Sequence, residues 1–306
     1  MSNELAGRVA IITGGARGIG LAIAQDLDRH GAQIVIIDSG VAIGGAPESP
    51  EIAHTAAATL RAGLGIAADI AGPGVAAHAV QTAIERFGGV DLIVNNAAII
   101  RDGFIFKTST DAWEATLRTN LTGAYHLLAA ATPTMREQAK SGRAAGSIVN
   151  IVSTAGIYGN FGQSAYAAAK GGLLALTRVV AHDLARSKII CNAIAPFGAT
   201  RVTASIQPAN DAQATYKAKA LKVSPDYIAR LVTYLATPAA QAVSGQIFGV
   251  RGRELFLFSQ ARPKIKVTVP TNGHDLADMV GVMKSFAPDF TDLVTDLEAF
   301  SADPLI

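Results

Sequence analysis

Seven strand-length, largely apolar runs, spaced by amphipathic Ala-rich segments, constrain this chain more than any other feature. They are VAIIT (9–13), IVIID (34–38), GIAAD (65–69), LIVNN (92–96), SIVNIVS (147–153), IICNAIAP (189–196) and QIFGV (246–250). Runs of this character suit strands covered on both faces, as in a parallel sheet. Between them, IGLAIAQDLDRHGA and DAWEATLRTNLTGAYHLLAAATPTMREQ carry helical periodicity. Strand alternating with helix predicts an α/β fold with a doubly wound, mostly parallel, seven-stranded sheet of Rossmann type. No linker or composition break interrupts it, so residues 1–257 read as one domain. Two segments depart from the alternation. One is the Gly/Pro-rich insertion SGVAIGGAPESPEIAHT (39–55) after the second strand. The other is an extension over 258–306, whose stretch HDLADMVGVMKSFAPDFTDLVTDLEAF reads as a solvated helix or a subunit contact.

Composition excludes several classes of function. Half of the 306 residues are hydrophobic and 16% are charged, the balance of a globular chain. A formal net charge of +2, without blocks of like charge, gives no case for nucleic acid or an anionic membrane surface. The single cysteine, Cys191, rules out an intrachain disulfide and a Cys-rich metal site, and reads as a small core residue. The six histidines show no ligand spacing, so no metal is expected. MSNELAG lacks the basic and apolar regions of a signal peptide, and the apolar runs fall short of a membrane span. A cytoplasmic protein is the expectation.

The first run leads directly into TGGARGIG and then an apolar helical segment. Glycines there let the backbone turn tightly against a pyrophosphate, whose charge rests on the helix N-terminus. Glycines crowd many turns for steric reasons alone, but strand before and helix after single this turn out. Gly14, Arg17, Gly18, Ile19 and Gly20 are therefore candidate cofactor contacts. Asp38 closes the second run, where a carboxylate would bind a ribose 2′-hydroxyl and repel a 2′-phosphate. It favours NAD over NADP, while the Arg17 guanidinium pulls toward NADP. Asp69, read as the end of the third strand, and the Ile70 backbone are placed to meet adenine. Asn95 and Asn96 end the fourth run, where amides can tie strands together and line the cofactor floor.

Tyr166 and Lys170 stand four residues apart in SAYAAAKGG, which puts both on one helix face. An adjacent ammonium stabilises a phenolate, lowering the tyrosine from its usual value of about 10 and making it a usable acid or base. Ser153 ends the fifth run and can hold a substrate oxygen in the same pocket. Asn120 sits in a helical segment where asparagine is disfavoured, which suggests that its amide is used, as in holding a water behind Lys170. Each residue alone has an ordinary structural explanation; their joint occurrence behind a cofactor turn does not.

Thr13-Gly14-x₃-Gly18-x-Gly20, Asn95-Asn96-Ala97-Ala98, Asn120, Ser153 and Tyr166-x₃-Lys170 together resemble the short-chain dehydrogenase/reductase pattern, from residue 6 to about 252. GIYGNFGQSAYAAAK, the CNAIAP-to-TRVT stretch and the long insertion are most similar to the branch comprising the (3R)-hydroxyacyl-CoA dehydrogenase unit of type 2 multifunctional enzymes, which includes a 17β-hydroxysteroid dehydrogenase. The resemblance implies Tyr166 as acid/base, Lys170 as its tuner and ribose ligand, Ser153 as substrate orienter and Asn120 in a proton relay. It further implies a homodimer or homotetramer. The substrate pocket is expected from Ser153, Tyr158, Phe161, Tyr166 and Phe197. Ala98 and Phe197 stand where glycine is usual; Ala98 is tolerated if its φ is negative. Three functions remain open: NAD-dependent oxidation of a 3-hydroxyacyl-CoA or hydroxysteroid alcohol, NADPH-dependent reduction of a 3-oxoacyl thioester, and non-catalytic binding on the same fold.

Overall fold

The apolar runs become strands because residues on both sides of each are buried, which only a sheet with helices on both faces provides. In a computed structural model the described residues are 3–205, 207–208, 210–267 and 276–290. Among them the strands are β1 (Val9–Thr13), β2 (Gln33–Asp38), β3 (Gly63–Ala67), β4 (Leu92–Asn95), β5 (Ser147–Ile151), β6 (Ile190–Phe197), β7 (Ile247–Arg251) and β8 (Glu254–Leu257). The helices are α1 (Gly18–Arg29), α2 (Ile52–Ala57), α3 (Val75–Phe87), α4 (Thr110–Leu117), α5 (Gly123–Lys140), α6 (Ala155–Tyr158), α7 (Ser164–Leu184), α8 (Arg201–Ser205), α9 (Asp211–Ala220), α10 (Asp226–Leu235) and α11 (Leu276–Phe286).

The sheet order is β3-β2-β1-β4-β5-β6-β7-β8, parallel except for the last pair. The expected seven strands thus become eight. The extra one follows a two-residue turn at Gly252–Arg253 that pairs Arg251 with Glu254. Leu255 and Leu257 point outward from this edge, although LFLF (255–258) is a continuous apolar run in the sequence.

Alternation along each strand sorts the core into two layers. Ile12, Ile34, Ile36, Val94, Val149 and Ile194 share one layer with Ile23, Leu27, Ile228 and Val232. Ile11, Val35, Ile37, Ile93 and Ile148 share the other with Leu127, Leu128 and Met135. Cys191 lies fully buried in the second layer, and burial pushes its thiol up. β1 lies between β2 and β4, so the order in which strands are added reverses at that point. The crevice beyond the C-terminal ends of β1 and β4 is where such sheets bind ligands.

The long helical segment expected from residue 111 is interrupted. Ser109 caps α4 by accepting from Ala112 N (3.1 Å), and a π-turn over Arg118–Thr122 separates α4 from α5. Such single π-turns often mark functional positions. Ala98 is tolerated as anticipated, since Lys188 is the one non-glycine with positive φ among the described residues.

A first unit reaches to Phe258 and a second begins at Ser259. Within the second, α11 is followed by a short turn, and Lys264 pairs with Asp289 at 2.5 Å. The remainder of the acidic stretch, 291–300, lies outside the described residues.

Candidate active site

The glycine turn is closed by tight approaches at Gly14 and Gly20. Gly14 has φ +60°, and a Cβ on Gly20 would stand 2.2 Å from the Gly14 carbonyl oxygen and 2.6 Å from Asn96 Nδ2. Asn96 Nδ2 donates to the carbonyls of Thr13 (3.0 Å) and Gly14 (2.9 Å), and Thr13 Oγ1 accepts from Asn96 N and Ala97 N. Gly18, φ +54°, has open space where its Cβ would be. Arg17 occupies the N-cap of α1 without a side-chain cap, leaving first-turn N–H groups for an anion. Arg17 Nε is buried and makes no hydrogen bond within the protein. An uncapped helix start, a glycine cradle and an orphaned guanidinium donor fit a dinucleotide's phosphates.

Asp38, 9% exposed at the tip of β2, accepts from Ala16 N (3.2 Å) and Gly40 N (2.9 Å). Its carboxylate thereby joins the glycine turn to the insertion. β3 ends at Ala67, two residues before the expected Asp69. That aspartate instead lies in the following turn, accepting from Ala71 N (3.0 Å) and pairing with Arg118 at 2.6 Å. The last paired residue is Ala67, opposite Asp38, and beyond it Ala68 N donates to both Asp38 O on β2 and Ile66 O. Ile70 is 3% exposed, and its methyl would contact a Cβ on Gly123 at 2.8 Å. Asn95 ties β4 to β5 through Asn150 (2.8 Å), which in turn reaches Thr177 on α7 (2.8 Å).

Ser153, Tyr166 and Lys170 come together at the C-terminal end of β5. Ser153 lies two residues past the strand and accepts from Ala155 N (3.1 Å), and its hydroxyl stands near enough to the Tyr166 phenol to oppose the rise in its pKa. Lys170 is 2% exposed and donates to Ile151 O at 2.7 Å, with Nζ 5.8 Å from the Tyr166 ring centroid. Burial raises Tyr166 to about 12, with Ser153 opposing and Asp102 assisting. Burial also lowers Lys170 to about 8. The expected lowering of the phenol by the ammonium is not found within the protein alone, where burial dominates and disfavours both charged forms.

Asn120, 1% exposed in the π-turn, accepts from Ile99 N (2.8 Å) and donates to Ile99 O (2.9 Å). Its amide is used, as the unfavourable helical position suggested, but on the backbone leaving β4. Of the expected pocket residues, Tyr158 packs edge-on against Phe258 at 6.3 Å between centroids, and Phe197 ends β6 half-buried. Phe161 is 79% exposed on the lead-in to α7, so it is rim rather than wall.

Sequence reasoning missed the segment 102–108. It is zippered to the α7 lead-in: Gly103 N donates to Gly162 O (2.6 Å), Gln163 Nε2 to Asp102 (3.0 Å), and Thr108 Oγ1 lies 3.2 Å from Ser164 Oγ. Burial raises the Asp102 carboxyl, the Gln163 bond opposing. The zipper brings exposed Phe104, Ile105 and Phe106 to the same rim as Phe161, with Phe104 and Phe106 stacked 5.6 Å apart. The apolar FIF triplet in an otherwise polar loop was the available signal. Among the described residues, no three His, Cys, Asp or Glu side chains cluster as metal ligands, and no helix is long and apolar enough to cross a membrane.

The sequence profile of the short chain dehydrogenases matches residues 8–214. The hydroxyacyl-CoA dehydrogenase ChsB1 of Mycobacterium tuberculosis is 34% identical over 289 residues, covering 93% of this chain and 90% of its own. Peroxisomal multifunctional enzyme type 2 of Drosophila melanogaster is 39% identical over 66% of this chain, which spans only 33% of that longer protein. The 3-oxoacyl-[acyl-carrier-protein] reductase of Synechocystis is 34% identical over 81% of this chain and 97% of its own. A short chain dehydrogenase structure from Mycobacterium avium superposes with a TM-score of 0.79 at 31% identity, covering 94% of this chain and 97% of that one. The chain belongs to the short-chain dehydrogenase/reductase family, oxidoreductases that act on CH–OH groups with a nicotinamide nucleotide.

Proposed function

We propose that this enzyme uses NAD to oxidise a secondary alcohol to a ketone on a 3-hydroxyacyl-CoA or hydroxysteroid(-CoA) substrate. The observation that carries the chemistry is buried Lys170, held on the Ile151 carbonyl at the end of β5 with Nζ 5.8 Å from the Tyr166 ring centroid and Ser153 beside that phenol. Bound NAD would supply the hydride acceptor and, in its oxidised form, a positive ring. The glycine turn, Asp38 and Asn96 would hold the nucleotide, with the Asp69–Ile70 turn toward its adenine end. Tyr166 exchanges the substrate oxygen's proton, Ser153 fixes that oxygen, and Lys170 lends positive charge and reaches the ribose. With a value near 12, the phenol is protonated at neutral pH and ready to donate to a ketone oxygen. In the oxidative sense it takes the alcohol proton when neighbouring positive charge compensates its own negative charge. Asn120 holds the strand-end backbone beside the site, and a relay through its neighbourhood is part of the proposal.

The exposed apolar rim of Phe104, Ile105, Phe106 and Phe161 supports a long acyl or ring-system substrate. Relatives named for hydroxyacyl-CoA and multifunctional-enzyme activity point the same way. Reduction of a 3-oxoacyl thioester with NADPH is the second reading, favoured by Arg17 in the glycine turn and by the cyanobacterial relative's name. The complete Ser-Tyr-Lys constellation opposes a purely binding role. Exposed Tyr125 on α5 and Val179 on α7 support a homodimer or homotetramer, and the predicted compartment is the cytoplasm.

The test is turnover of a panel of 3-hydroxyacyl-CoAs, hydroxysteroid-CoAs and free hydroxysteroids with each nucleotide. Tyr166→Phe should lower kcat by at least about a thousandfold while NADH binds within about threefold of wild type. Residual turnover above a tenth of wild type would remove Tyr166 from the chemistry.

A further inference from the structure

The insertion after β2 is a folded element. Gly40 O accepts from Glu48 N (3.1 Å) and Ser49 N (2.7 Å), Ala42 N bonds Ala46 O (2.7 Å), and Val41 bridges Pro47. Gly40 has φ +67°, and a Cβ there would lie 1.9 Å from Ser49 O, so the loop closes only with glycine. Its far side is tied down by Ile100 N to Ile43 O (2.8 Å) and by Arg101 Nε to Gly44 O (2.9 Å). This scaffold presents the Glu48 carboxylate to two arginines from distant parts of the chain.

Arg17 Nη1 pairs closely with Glu48, and Arg17 Nη2 donates to Val41 O at 2.7 Å. Arg201, at the start of α8, reaches the same Glu48 oxygen at 3.3 Å and the same Val41 carbonyl at 3.2 Å. Arg201 is pulled below its usual value by burial and by Arg17, with Glu48 and Asp38 opposing, which places all four charges in one electrostatic cluster. Two cations and two anions balance, and one anion, Asp38, stands at the β2 tip.

We infer that Glu48 is a specificity-determining counter-ion: by holding Arg17 and Arg201, it denies a 2′-phosphate the guanidiniums that would otherwise bind it. This deepens the proposed NAD preference and rests on it. Asp38 then repels the phosphate directly, whereas Glu48 removes the attraction that Arg17, a bidentate phosphate ligand by chemistry, would offer. Without Glu48 the cluster carries a net positive charge beside the β2 tip, and a dianionic phosphate gains from it.

The experiment is fluorescence titration of wild type and Glu48→Gln with NADH and with NADPH. In the variant, the NADPH-to-NADH dissociation-constant ratio should fall at least tenfold, about 1.4 kcal/mol. Adding Arg17→Gln and Arg201→Gln should return it toward the wild-type ratio. A ratio unchanged within twofold in Glu48→Gln, or a shift that survives loss of both arginines, would overturn the inference. Loss of binding to both nucleotides, in Glu48→Gln and in Glu48→Asp alike, would also overturn it, because Glu48 would then be a strut of the fold. The wild-type ratio separately tests the NAD reading, so failure of either is distinguishable from failure of the other.

Discussion

Replacing Lys170 with Met tests whether the ammonium proposed for catalysis is held at the expense of stability. Lys170 is 2% exposed, and the partner shown for its ammonium is the neutral Ile151 carbonyl. Burial lowers it from 10.5 to about 8. The sign follows from linkage: between these values the unfolded chain binds the proton and the folded one does not, so stability rises with pH there. Below pH 8 both states are protonated and the full penalty applies, about 3 kcal/mol at 1.36 kcal/mol per unit. By pH 10 it has shrunk to about 1 kcal/mol. Methionine carries no charge, but it strands the Ile151 carbonyl, which costs roughly 1–3 kcal/mol at every pH. The diagnostic quantity is therefore the slope and not the offset. Urea unfolding of both proteins at pH 7, 8, 9 and 10, at one fixed protein concentration, should show wild type gaining about 2 kcal/mol on the variant across the range. Tyr166 deprotonates in the unfolded chain only near the top of this range, and does so in both proteins, so it cancels. Parallel pH profiles would refute the reasoning, since Lys170 would then titrate alike folded and unfolded.

Two further outcomes follow from local geometry. Asn120→Ala leaves the buried Ile99 N–H and C=O without the Asn120 amide. It should lower unfolding free energy by roughly 2–4 kcal/mol, and a loss below about 0.5 kcal/mol by urea unfolding would show that the amide is not a clamp. Gly20→Ala must displace the Gly14 carbonyl, only 2.2 Å from the new methyl, whereas Gly18→Ala meets no atom within 4 Å and suffers only its positive φ. NADH affinity by fluorescence should fall more than about tenfold for Gly20→Ala and less for Gly18→Ala; the reverse order would mean that the turn is not packed as described.

Most of the sheet was legible because its signals are local. Continuous burial of VAIIT or SIVNI on both faces leaves a largely apolar run in the sequence. β8 was not read, although LFLF (255–258) is apolar throughout, because it is a four-residue antiparallel edge strand behind a two-residue turn, outside the strand–helix alternation. The third strand ended earlier than GIAAD suggested, since pairing stops at Ala67 whatever the composition beyond it. The same limit applied to the site. Tyr166 and Lys170 share a face through the helical period alone, but the direction of their proton affinities depends on burial, which no spacing encodes. Asn120 drew notice as an unfavourable helical residue, yet its partner, Ile99, was set by a π-turn and a neighbouring strand end.

The sequence by itself pointed to the doubly wound architecture, the glycine turn and the candidate reactive set, because each leaves a local signature in the chain: an apolar run, a glycine spacing or a helical period. Tertiary structure decided what those groups are surrounded by. It brought Glu48 between Arg17 and Arg201, and laid the 102–108 segment along the α7 lead-in with its aromatic rim. Both depend on pairs separated by tens of residues or more, whose meeting is fixed by sheet order and packing rather than by any local pattern.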